Sequence, residues 1–87
     1  MSIPTIDHPT DRPNFTRIEI EGRTLWYSYR TLIAFNAYNG SGPVVRENVW
    51  GPTTGKHLNY VDGGDTEAKA ARLNTEAFQQ AVTEAGL

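Results

Sequence analysis

Val49-Trp50-Gly51-Pro52-Thr53-Thr54-Gly55-Lys56-His57-Leu58-Asn59-Tyr60 divides the chain. Upstream of it apolar residues alternate as in strands, and downstream they recur at helical spacing. Within it, Gly51-Pro52 breaks the preceding run. Thr53 or Thr54 then offers a hydroxyl to cap a helix N-terminus. Leu58 and Val61, three apart, suit one face of a short helix over 54–61. That reading is favoured over an extended one in which Leu58 and Tyr60 alternate. Gly63-Gly64 closes the segment.

Working back towards the N-terminus, residues 44–50 read as a strand, with Val45, Glu47 and Val49 alternating against Val44, Arg46, Asn48 and Trp50. Asn39-Gly40-Ser41-Gly42-Pro43 is a turn. Residues 32–38 are apolar on both faces, either a separate strand or a continuation of the strand before through a bulge near Arg30-Thr31. Residues 24–30 carry aromatics on both faces, as expected of a central strand or one covered on both sides. Residues 15–21 place Ile18 and Ile20 opposite Arg17, Glu19 and Glu21. Gly22 allows a tight hairpin at Glu21-Gly22 or Gly22-Arg23. Before that, Pro4, Pro9 and Pro13 mark residues 1–14 as a polar tail without a regular element.

Towards the C-terminus, Asp65 or Thr66 caps a helix over 66–85. Ala70, Leu73, Ala77 and Ala81, with Phe78 and Val82 beside them, form its apolar stripe. The expected fold is α+β: a three- to four-stranded antiparallel meander, a short helical turn, and a C-terminal helix packed on the sheet. Residues 15–87 form one domain.

Composition narrows the function classes. The chain has 87 residues and no cysteine, so disulfides and thiolate zinc sites are excluded. No apolar run approaches the ~20 residues of a membrane-spanning helix, and no basic-then-apolar leader opens the sequence. An intracellular, cytoplasmic protein is expected. Net charge is −2, unevenly spread. From Arg12 to His57 six basic residues oppose three acidic ones, giving +3; from Leu58 onward two oppose five, giving −3. A positive sheet face could meet an anion, although a mixed, solvated surface is the plainer account.

Several chemistries can be weighed on Gly51 to His57. A phosphate-binding loop needs four residues between its glycines and a hydroxyl after the lysine. Here three residues separate Gly51 from Gly55, and His57 stands in the hydroxyl's place. His57, Asp62 and Asp65 lack the spacing of a metal site, so no metal or cofactor is expected. A hydrolase or nuclease with His57 as base and Lys56 as anion stabiliser is one alternative. The bland account of His57 is a half-buried ring bonded to a backbone carbonyl. His8 reads as a surface residue. Binding fits the residue types better. Arg46, Asn48, Trp50, Thr53, Thr54, Lys56, His57 and Tyr60 combine cations, flat rings and polar groups. Such a set suits phosphate contact with base stacking or a protein hot spot. Trp50 and Tyr60 could equally be core residues of a small domain.

Tyr29-Arg30-Thr31-Leu32-Ile33-Ala34-Phe35, Val45-Arg46-Glu47-Asn48-Val49-Trp50 and Thr53-Thr54-Gly55-Lys56-His57-Leu58-Asn59 together resemble small proteins of unknown function from phages and mobile elements of actinobacteria. Those carry an Asn-x-Trp-x-x-Thr-Thr-x-Lys-His segment. The resemblance spans roughly Tyr27 to Val61. It implies a phage or prophage origin, action inside the host cell, and a special role for Thr-Thr-Gly-Lys-His. The resulting expectation is a non-enzymatic accessory protein that binds a host protein or nucleic acid through Trp50–Tyr60. A self-associating structural component, including a homodimer, is the third alternative.

Overall fold

The computed structural model describes residues 4–8, 14–36 and 42–86. Five antiparallel strands follow one another in sheet order: β1 (Thr5–Asp7), β2 (Phe15–Ile20), β3 (Arg23–Ser28), β4 (Thr31–Asn36) and β5 (Val44–Val45). Three helices follow: α1 (Pro52–Asp62), α2 (Thr66–Ala71) and α3 (Thr75–Glu84). The fold is α+β, with its last helix packed on the sheet.

Register explains how the sheet comes to have two buried faces. Residues paired across strands point the same way. Phe15 pairs with Ser28, Arg17 with Trp26, Trp26 with Ala34, and Ala34 with Val45, which defines one face. Ile18, Leu25, Phe35 and Val44 form the other. Trp26 pairs with Ala34 but Tyr27 with Leu32, so Ile33 is the extra residue of a β-bulge. The bulge lets Ile33 and Ala34 both join the first face, where α1 adds Leu58. Phe15, Ile33 and Leu58 are fully buried there, each worth about 2 kcal/mol of apolar burial. On the second face α3 presses Phe78 and Val82 onto Phe35. Helices therefore cover both sides of β4.

Several expectations change. Thr5–Asp7 is a strand, not part of a tail. Pro4 is tolerated just before it because the strand lies at the sheet edge, where a proline nitrogen costs no ladder bond. The strand expected over 44–50 ends after Val45, with only an isolated parallel bridge from Arg46 to Leu73 beyond it. Gly51-Pro52 opens α1 instead of merely breaking the chain. Gly51 is its N-cap and Pro52 occupies the first turn, where a missing N–H removes nothing. Thr53 and Thr54 thus lie inside the helix. The expected helix over 66–85 is two helices, separated by Arg72–Asn74. Leu73 leaves the helical stripe to exchange backbone bonds with Val45 and Glu47 at 2.9 and 2.7 Å. Between β3 and β4 the chain turns through Tyr29-Arg30, a two-residue hairpin in place of a continuing strand. Residues 37–41 of the expected strand and turn, and most of the expected tail, lie outside the described residues.

Candidate functional site

Helix α1 positions the centre of the candidate site. Thr54, His57, Leu58 and Val61 recur at three and four and so share its inward face. Two of these four are polar, and the sheet supplies their partner. Ser28, the last residue of β3, places its Oγ 2.7 Å from His57 Nδ1 and 3.0 Å from Thr54 Oγ1. Ser28 and His57 are each 2% exposed. The imidazole lies flat on Phe15, with ring centroids 4.6 Å apart and planes 6° from parallel. Tyr60 meets the other side of this cluster, its ring edge-on to Phe15 at 5.3 Å.

This arrangement corrects the reading of His57 as half-buried. The ring is buried and its Nδ1 partner is a serine hydroxyl. Ser28 was not among the expected site residues, although a polar pair on the inward stripe of α1 already demanded a buried partner. A serine beside an imidazole has the composition of a nucleophile and base. Here the hydroxyl is shared with Thr54 and the ring is covered by Phe15, so the contact pins α1 to the sheet. Lys56 does not join it. Neighbouring helix residues point about 100° apart, and Lys56 is exposed while His57 is buried.

The other expected residues divide by location. Thr53, Lys56 and Tyr60 lie on the exposed side of α1. Asn48 shapes the entry to the helix: its Oδ1 accepts from the Trp50 N–H at 2.9 Å and its Nδ2 donates to the Gly51 carbonyl at 3.2 Å. A Cβ on Gly55 would come within 3.1 Å of that Nδ2, which accounts for a glycine inside the helix. Arg46 is held between two rings, 4.5 Å above Trp50 and 5.5 Å from Phe78. It also donates to Thr75 Oγ1 at 2.9 Å. Thus Trp50 joins the sheet edge to α3 through Arg46 and remains 44% exposed.

A cleft of about 180 Å³ opens beside this cluster, lined by Ser28, Tyr29, Thr31, Ile33, Trp50 and Thr54. A larger cavity of about 510 Å³ lies under α2, between Val44, Val61 and Leu73. None of the eight expected site residues lines it, and the Asp62–Arg72 ion pair forms part of its wall. Burial pushes the Asp62 carboxyl up. The Arg72 guanidinium and the Gly64 N–H outweigh that and hold it below the ordinary carboxylate value. Among the described residues no three His, Asp or Glu side chains gather as a metal site, and no helix is long and apolar enough to cross a membrane.

Fold and site define a small α+β domain with a buried polar pin and with Tyr29, Trp50 and Tyr60 exposed around it. The chain belongs to a family of unknown function (DUF8033), matched over residues 5–80. The match takes in β1 and most of α3, beyond the segment on which the resemblance rests. No curated protein and no solved structure matches the chain.

Proposed function

We propose that the chain is a phage-type accessory protein, a non-enzymatic module that binds a host protein inside the host cell through the exposed side of α1 and the aromatics around it. The observation that carries this reading is the clustering of exposed rings. Among the described residues the large exposed hydrophobics are Ile6, Tyr29, Val49, Trp50 and Tyr60. All but Ile6 border α1: Tyr29 and Trp50 share the small cleft, Val49 adjoins Trp50, and Tyr60 rests on Phe15. Trp and Tyr around a desolvated centre are the residues from which protein hot spots are built.

The cations favour a protein over nucleic acid. Arg17 is paired with Asp7 and Glu19, Arg72 with Asp62, and Arg46 is sandwiched between rings. The positive face expected from the charge count shrinks accordingly. Duplex binding through phosphates typically draws on about 6–10 such contacts. The phage assignment rests on the sequence resemblance.

Capture from an actinobacterial lysate tests the reading. Wild type is compared with a Trp50→Ala/Lys56→Ala/Tyr60→Ala variant, each shown to be folded by circular dichroism. A captured protein that survives nuclease and falls at least tenfold in the variant is expected. Capture that disappears with nuclease, or that the variant retains, removes it.

A further inference from the structure

Tyr29 is the least economical residue in the sheet. It occupies the first central position of the β3–β4 hairpin with φ 57°, a left-handed conformation usually given to glycine at that position. A bulky side chain there is unusual and strained. The turn is nevertheless held firmly, since the Tyr29 N–H donates to the Asn14 carbonyl at 2.6 Å. In return the ring makes a tilted contact with the buried His57, centroids 6.4 Å apart, while Tyr29 stays 54% exposed. Strain kept for a ring that leaves more than half of its residue in solvent points to a use outside the fold.

The surroundings indicate that use. The ring stands at the cleft of about 180 Å³, opposite Trp50, over a floor of Ile33 with the Ser28 and Thr54 hydroxyls. That volume suits one aliphatic side chain, not a whole ligand of the usual 300–1,000 Å³ class. Ser28 and Thr54 hydrogen-bond each other, so an apolar occupant leaves that floor bond intact. At the rim the exposed Arg30 stands between two lining residues, Tyr29 and Thr31. Among the described residues Arg30 makes no side-chain hydrogen bond or ion pair. No acidic residue lines the cleft.

We infer that the Tyr29–Trp50 cleft is the anchor pocket of the binding face, taking one leucine-sized side chain from an acidic segment of a protein partner. This rests on the binding reading above and adds a residue, Tyr29, and a partner chemistry. The aromatic walls supply the apolar contact, and Arg30 attracts a flanking carboxylate.

The test is an NMR titration of the whole protein with three capped pentapeptides. One has a central leucine flanked by aspartate and glutamate; the second replaces that leucine with alanine; the third keeps the leucine between lysines. The first should shift the amide signals of Ser28, Tyr29, Thr31 and Thr54 and the Trp50 indole in a saturable way. The second should bind at least tenfold more weakly, and the third should leave the cleft unmoved. Tyr29→Gly and Tyr29→Asn both accept the left-handed turn without the ring. They should stay folded while losing at least tenfold in binding, and Tyr29→Phe should bind like wild type. No saturable shift at the cleft, equal binding of the basic peptide, or full binding by the folded Tyr29→Gly or Tyr29→Asn variant overturns the inference. A silent cleft with persistent, nuclease-resistant, ring-dependent capture from lysate defeats the anchor pocket alone. Loss of both defeats the binding reading as well.

Discussion

At the residue scale, His57 shows what a helical stripe reveals and where it stops. Thr54, His57, Leu58 and Val61 follow helical spacing in the sequence, so their common face was legible. The partner was not, because Ser28 is 29 residues away and only strand register brings it under the helix. The buried pin has a measurable consequence. Ser28→Ala leaves the buried Thr54 Oγ1 and His57 Nδ1 without their shared hydroxyl. Losing one partner of a buried polar group costs about 1–3 kcal/mol. His57→Ala also vacates the space against Phe15, and removing a buried aromatic costs about 3–5 kcal/mol. Urea unfolding should therefore rank wild type above Ser28→Ala and Ser28→Ala above His57→Ala. Equal midpoints for wild type and Ser28→Ala contradict the pin.

At the element scale, turn chemistry was legible where glycine marked it and hidden where it did not. Glu21-Gly22 reverses the chain with both residues left-handed, as the glycine suggested. Tyr29-Arg30 makes an equally tight reversal without glycine, asparagine or aspartate, and only its pairing shows it. The break between α2 and α3 was hidden differently. Arg72-Leu73-Asn74 contains no proline or glycine, and Leu73 fits a continuous helical stripe until the sheet edge claims its backbone. The signal present was Asn74, whose Oδ1 accepts from the Ala77 N–H at 2.8 Å and caps α3. Asp65 caps α2 in the same way, at 2.7 Å from Ala68 N. The two caps should differ in effect. Helix α3 carries the buried Phe78 and Val82, whereas α2 buries no residue. Asn74→Ala is expected to lower global stability by about 1 kcal/mol. Asp65→Ala should raise amide exchange within α2 while leaving the urea midpoint nearly unchanged, because α2 opens locally. A large global loss from Asp65→Ala would place α2 in the cooperative core.

At the scale of the whole molecule, the chain must pass from one face of the sheet to the other. Helix α1 lies on the Phe15 face and α3 on the Phe35 face, so the path between them rounds the β5 edge. Gly63 and Gly64, both left-handed, begin the crossing, and a Cβ on Gly64 would meet Asn59 at 2.5 Å. The crossing is then fastened twice: Leu73 bridges to the strand edge, and Arg72 grips the last residue of α1. Its Nε and Nη2 donate to Asp62 at 2.7 and 2.8 Å, and Nη2 also reaches Asn59 Oδ1 at 3.1 Å. The Arg72 and Asp62 side chains are 6% and 9% exposed, so removing one partner strands the other away from water. Breaking a pair of this kind costs about 3–5 kcal/mol. The carboxyl is held below its ordinary value in the folded state, by Arg72 and Gly64 against the opposing push of burial. Its contribution is therefore complete above the unfolded value of about 4 and is lost as pH falls through the lower folded value. Urea unfolding of wild type and Asp62→Asn should differ fully at pH 6, and the difference should narrow below about pH 4 as wild type loses the charge that the variant never had. The narrowing distinguishes the ion pair from mere packing, since a packing defect in Asp62→Asn would persist unchanged into acid.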